Sequence, residues 1–275
     1  MKRLCAVMMM SLLLMSTGIA APTGDVFVIG VAPHTSPRVI LEMYAPLRLY
    51  LEKTFGVPVE IVTAPNFDIF AQRGLAQEFD IAITTGHQAR LFQKDAQYTP
   101  LLTYKADFKA VALVLANGTI REPADLKEKD VLGLSAASLV TLWGQHWLAD
   151  NKVTPKSIRY ISASDSVAQL VISGDADACF TSLANYQKLN PDVRDQLRIL
   201  VESKPMAGRV YMLNSRRTAM QKEIDNALWA FAATPEAKKY FENNKLEGYR
   251  PLKPTEMEDM DMYVDETRKL IGNVK

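Results

Sequence analysis

Cysteine is scarce in this chain, with two residues in 275, Cys5 and Cys179. Cys5 lies at the start of an apolar run among the first residues, so Cys179 has no partner in the remainder. No internal disulfide is available there, and stability has to come from a packed core. A hydrophobic content of 48% can supply a large one. Histidine is equally sparse: His34, His87 and His146 stand far apart, outside any His-Glu-x-x-His spacing. Also missing are Cys-x-x-Cys, Gly-x-Ser-x-Gly and a Gly-rich phosphate loop ending in Lys. Carboxylates are scattered over surface-type helical positions and nominate no acid–base pair. These absences argue against an enzyme, a metal site and a cofactor. An excess of one charge is lacking too. With 32 basic and 31 acidic residues, neither nucleic acid nor an anionic membrane is an expected partner.

Only one long apolar run is present. It spans residues 4–15, broken by Ser11, follows Lys2 and Arg3, and precedes the small residues Gly18 and Ala20. That order is a secretory signal peptide. The run is shorter than the ~20 residues of a membrane span, which makes a membrane anchor the lesser alternative. Cleavage is expected after Ala20, because cleavage after Ala21 would leave Pro22 first. Losing Lys2 and Arg3 reduces the 32 basic residues to 30, against 31 acidic. The expectation is a soluble, monomeric, periplasmic protein.

The remainder alternates strand and helix. Strands are predicted over residues 26–31, 57–63, 79–83 and 99–104. Helices are predicted over 37–55, 67–76 and onward to about 94. A second series has strands over 108–116, 131–134, 157–161 and 176–180, with helices over 138–150 and 164–173. Strands over 197–202 and 209–213 precede a helical tail. The predicted fold class is therefore α/β, with two lobes of mostly parallel sheet flanked by helices. Lobe 1 comprises residues 21–104 plus 205–275, and lobe 2 residues 105–204. Two crossover segments, 104–109 and 203–209, form the hinge. Pro205 and Gly208 suit a bend in the second of these.

Clefts between lobes are preferred ligand sites. Strand-to-helix junctions offer free N–H groups that favour anions. The first junction presents His34, Thr35 and Ser36, where the hydroxyls either cap the helix begun by Pro37 or meet a ligand. In the second, Asn66 is a candidate N-cap and Phe67 is either cleft wall or core. The third, Thr84, Thr85, Gly86 and His87, is the leading candidate ligand contact. Next come Ser135, Ser138 and Thr141, then Ser164 and Asp165, then Thr181. Cys179 reads as an inert buried thiol, with a soft ligand contact as the alternative.

Several of these stretches resemble a known family. They are Ile29-Gly30-Val31-Ala32-Pro33, Leu49-Tyr50-Leu51-Glu52, and the run from Val59 to Phe67. Phe79-Asp80-Ile81-Ala82, Thr234-Pro235-Glu236 and Gly248-Tyr249-Arg250-Pro251-Leu252 complete the set. Their order from Val26 to about Leu252 is similar to that of the periplasmic phosphate/phosphite/phosphonate-binding proteins of ABC importers. The resemblance implies a type II periplasmic-binding fold that closes by hinge bending on a small oxyanion. It implies an ABC permease as partner, or alternatively a membrane sensor kinase. The sequence departs from the family pattern at Leu139 and Val140, where hydroxyls are expected. A periplasmic hydrolase using His34 or His87 with a nearby hydroxyl is the remaining, weaker reading.

Overall fold

The structure, a computed structural model, describes residues 26–161 and 166–272. The expected export segment and two candidate ligand residues, Ser164 and Asp165, lie outside the described residues. The chain begins β1 (Phe27–Val31), α1 (Pro37–Phe55), β2 (Val59–Val62), α2 (Phe67–Leu75), β3 (Ile81–Thr85), α3 (Gly86–Asp95) and β4 (Thr99–Tyr104). It continues with β5 (Ala110–Leu115), β6 (Asp130–Gly133), α4 (Leu139–Asp150), β7 (Ser157–Tyr160), α5 (Ser166–Ile172), β8 (Ala178–Ser182), α6 (Leu183–Lys188), α7 (Pro191–Arg194) and β9 (Leu197–Glu202). It ends with β10 (Arg209–Leu213), α8 (Gln221–Ala232), α9 (Pro235–Asn244), β11 (Tyr249–Arg250) and α10 (Asp261–Gly272).

Two sheets result, ordered β11-β4-β10-β3-β1-β2 and β7-β6-β8-β5-β9. In the first, β1, β2 and β3 are parallel, and β10 runs antiparallel between β3 and β4. In the second, β6, β7 and β8 are parallel, and β5 runs antiparallel between β8 and β9. Four strands of each sheet thus share a direction, as expected. The reversed strands β10 and β5 each enter directly from the other sheet, with no helical crossover to turn the chain round.

Strands β3 and β8 each run two residues beyond the end that the apolar pattern predicts. Thr84 and Thr85 pair with Val210 and Arg209. Thr181 and Ser182 pair with Val111 and Ala110. The reversed neighbour offers its backbone groups this far, and side-chain polarity does not end the ladder.

Each sheet is packed on both faces. Phe27, Ile29 and Val31 of β1 meet Tyr44, Leu47 and Leu51 of α1 and Phe231 of α8. The opposite face gathers Phe70, Phe79, Phe92 and Tyr263. Gly30 is needed there, since a Cβ at this position would stand 2.5 Å from the Phe79 ring. Leu139 and Leu142 of α4 join the same cluster, so a helix of the second sheet is wedged into the core of the first. Two further clusters fill the faces of the second sheet, around Val171 and Cys179 and around Phe180.

The two crossover segments lie side by side. Met206 N–H donates to Phe108 O at 2.9 Å, Ser203 N–H donates to Ala110 O at 2.9 Å, and Ala110 N–H donates to Ser203 Oγ at 2.9 Å. Gly208 passes so close to Phe108 that an added Cβ would lie 3.1 Å from the Phe108 Cβ. Away from this hinge, His87 Nε2 is 2.9 Å from Ala137 O, and His146 Nε2 is 2.8 Å from Glu266 Oε2.

Candidate functional site

The carboxyl ends of β1, β3, β6 and β8 and the two crossover segments meet around one cleft of about 220 Å³. On the side of the first sheet it is lined by His34 and Thr35 after β1, Asn66 and Phe67 at the start of α2, and Thr85 at the end of β3. Ser135, Ser138, Leu139 and Val140 after β6, and Ser182, Asn185 and Lys188 around α6, line the other side. Arg209, the first residue of β10, stands at the hinge edge.

Local chemistry places these groups. Pro37 opens α1 and needs no N–H partner, which leaves the preceding turn free to carry His34 and Thr35. Asn66 caps α2 by accepting from Ile69 N–H at 2.8 Å. Ser182 caps α6 by accepting from Asn185 N–H at 3.1 Å. At the start of α4 the expected side-chain cap is replaced by a folded-back hydroxyl pair. Ser138 Oγ lies 2.8 Å from Thr141 Oγ1, which accepts from Leu134 N–H at 3.1 Å. Gly133 makes room for this pair, since a Cβ there would stand 2.5 Å from Thr141 Oγ1.

Six of the predicted residues therefore meet at the cleft: His34, Thr35, Phe67, Thr85, Ser135 and Ser138. Others are placed elsewhere, and the period of two along a strand explains Thr84 and Thr181. Thr84 is buried on the other side of β3, with Oγ1 donating to Gln88 Oε1 at 2.8 Å. Thr181 is likewise turned away, with its hydroxyl 3.4 Å from Asn185 Nδ2, and Ser182 takes the cleft position. Gly86 is used for close packing: its N–H donates to Ala207 O at 3.2 Å, and a Cβ would stand 2.5 Å from the Ala207 Cβ. His87 is fully buried on Ala137 O. Thr141 supports Ser138 from below, and Ser36 is an exposed cap residue outside the lining. Cys179 lies in the second-sheet core, where burial pushes its thiol up to about 12 and makes it inert.

Arg209 escaped the sequence reading, although a charged residue opening an otherwise apolar strand just after a hinge was the available signal. Its guanidinium lies 5.9 Å from the Tyr104 ring centroid, close to Tyr44 and Tyr240 as well. Below it, tyrosine hydroxyls converge: Tyr104 with Tyr211 at 2.8 Å, Tyr211 with Tyr249 at 2.8 Å, and Tyr104 with Tyr240. Among the described residues, no carboxylate forms an ion pair with Arg209, and its Nη1 has no partner.

Three more lining residues carry buried polar atoms without a partner: His34 Nε2, Thr85 Oγ1 and Ser135 Oγ. Each such atom costs about 1–3 kcal/mol when nothing meets it. Four of them line one cavity, where an incoming polar group can meet them. Among the described lining residues, half-buried Arg209 and exposed Lys188 and Lys245 accompany one carboxylate, Asp107, which is also exposed. Burial first, and then the Arg209 charge, hold the His34 imidazole well below its ordinary pKa, against the opposing pull of the Ala32 carbonyl. The site offers positive charge and hydrogen-bond donors. It contains no paired nucleophile and base, and no metal-ligand cluster exists among the described residues.

A family model described as "ABC transporter, phosphonate, periplasmic substrate-binding protein" matches residues 29–257. No curated protein matches the chain. Among solved structures, XAC2383 from Xanthomonas citri bound to ATP superposes with a TM-score of 0.77 at 19% identity, covering 90% of this chain and 99% of that one. The same protein bound to chloride gives 0.75 at 20% identity, covering 89% and 99%. PhnD1 from Prochlorococcus marinus in complex with methylphosphonate gives 0.73 at 16% identity, covering 90% and 99%. At these identities the structural likeness establishes the fold.

Proposed function

The chain belongs to the periplasmic substrate-binding proteins of phosphonate ABC transporters, and on that premise we propose that it captures a small oxyanion between two lobes without transforming it. The lobes are residues 21–104 plus 205–275 and residues 105–204, with 1–20 removed on export. The ligand sits among His34, Thr35, Phe67, Thr85, Ser135 and Ser138, joined by Arg209, Ser182, Asn185 and Lys188. The carrying observation is the Arg209 guanidinium, which has no carboxylate partner among the described residues and shares the cleft with lining residues that carry unpartnered polar atoms.

A lone buried cation is destabilising unless a counter-ion arrives, and an anion bound between the lobes supplies it. Ligand contacts drawn from both sheets favour the closed state, and a permease reads closure as the signal to import. The anions seen with the neighbours, chloride, ATP and methylphosphonate, have negative charge in common, and the cleft's excess of cations suits that class. Thermal-shift and calorimetric titration with phosphate, phosphite, methylphosphonate, sulfate and chloride test the proposal. A ligand at a hundred times its Kd stabilises by about 2.7 kcal/mol. Absence of stabilisation by every anion at millimolar concentration defeats the reading.

A further inference from the structure

We propose that His34 is the specificity residue of the cleft, its Nε2 accepting a hydrogen bond from the ligand and so selecting an oxyanion that retains a proton over one that has none. This rests on the cleft being an oxyanion site. The geometry begins with the ring itself. His34 Nδ1 lies 2.9 Å from the carbonyl oxygen of Ala32. A carbonyl only accepts, so the imidazole proton belongs on Nδ1 and Nε2 presents a lone pair. Among the described residues no group meets that nitrogen.

A second proton on the ring would turn Nε2 into a donor, but its surroundings oppose one. Arg209 comes from β10 and Lys188 from α6, both positive. Tyr44 of α1 stands edge-on, with ring centroids 6.4 Å apart. Asp107, the one carboxylate among the described lining residues, is exposed. Burial acts in the same direction as the two cations. The ring is therefore a neutral acceptor placed within an otherwise cationic, donor-rich site.

Such an acceptor discriminates. A lone pair set against a fully ionised oxygen is repelled and leaves both groups desolvated and unpaired. An O–H on the ligand converts the same approach into a hydrogen bond. Phosphonate and phosphate monoanions keep one proton near neutrality, with a last ionisation near pH 6 for phosphate monoesters. Sulfonates, sulfate, nitrate and chloride carry none. Arg209 thus answers the ligand's charge, and His34 reads its proton.

Calorimetric titration of the wild-type protein with methylphosphonate and with its isostere methanesulfonate tests this. At pH 6 we expect the phosphonate to bind at least tenfold more tightly, because a site built for a hydrogen bond rejects the analogue lacking it. Raising the pH should weaken phosphonate binding by about tenfold per unit above the ligand's own last pKa. With a more acidic fluorinated methylphosphonate, that fall should move to lower pH. His34→Gln presents a donor as well as an acceptor, and should narrow the preference to within about threefold. If this variant does not fold, the two-ligand comparison on the wild type decides alone. Equal affinity for the two ligands, or a pH midpoint that ignores the ligand's acidity, overturns the role of His34 and leaves the oxyanion site standing. Binding of none of these anions overturns the site itself.

Discussion

The Arg209 guanidinium lies 5.9 Å from the Tyr104 ring centroid and rests on phenolic oxygens. Hydroxyls solvate a cation without neutralising it, so the charge remains available to a ligand. Arg209→Met should weaken anion binding by at least a hundredfold, about 3 kcal/mol, measured by calorimetry. The same substitution should leave the ligand-free protein as stable as wild type or more so, because an uncompensated cation is removed. Loss of folding together with binding would instead make Arg209 a structural residue.

Thr85 and Ser135 carry unpartnered hydroxyls at the cleft. Thr85→Val and Ser135→Ala should each leave the melting temperature of the unliganded protein unchanged or raised. Each should reduce ligand affinity by about 1–2 kcal/mol. Destabilisation of the free protein by either change would show that the hydroxyl has a partner in solution and is not held for a ligand.

His87 is buried on Ala137 O, and burial lowers its pKa to about 4, against a weaker opposing effect of that hydrogen bond. Above pH 6.5 the ring is neutral in both folded and unfolded states. Between 6.5 and 4 the unfolded chain takes up a proton that the folded protein refuses. Stability should therefore fall as the pH drops through this window, by up to about 3 kcal/mol. His34, also depressed, acts in the same direction. Urea unfolding from pH 7 to 4 should show a slope that His87→Leu reduces by about one proton. An unchanged slope would contradict the burial of His87.

Asp80 is buried and accepts from Arg216 Nε at 2.8 Å, Arg217 Nε at 2.7 Å and Val28 N–H at 2.8 Å. Burial alone would raise its pKa, but the bonds from Arg217, Val28 and Arg216 overcome this and lower it. The depressed pKa means that the stabilisation is present above the unfolded carboxylate value and is lost as the pH falls through the folded one. Asp80→Asn should cost about 3 kcal/mol at neutral pH, read by denaturant unfolding, with ligand affinity nearly unaltered. A loss below about 1 kcal/mol would show that the arginines contribute little there.

Periodicity located nearly every element, and α1 and β4 match their predicted limits at both ends. It erred where a strand's end is set by a neighbour from far along the chain. Thr85 belongs to β3 because Arg209 pairs with it, and no local pattern reports that pairing. The same blindness hid Arg209 and put Thr181 forward in place of Ser182. The cap at Asn66 was legible, because it acts within three residues of itself, whereas Ser36 makes no side-chain cap bond.

By itself the sequence determined the α/β class, the doubled series of elements and the resemblance to an anion-binding family. The class and the doubled series follow from the spacing of apolar residues, and the resemblance is carried by short motifs in a shared order. Tertiary structure alone decided which junction groups share a cleft, which of two adjacent polar residues faces it, and that an arginine 175 positions after His34 stands beside it with no carboxylate partner among the described residues. Side-chain direction at a strand end depends on register, and charge compensation depends on the whole neighbourhood, and both are properties of the folded chain.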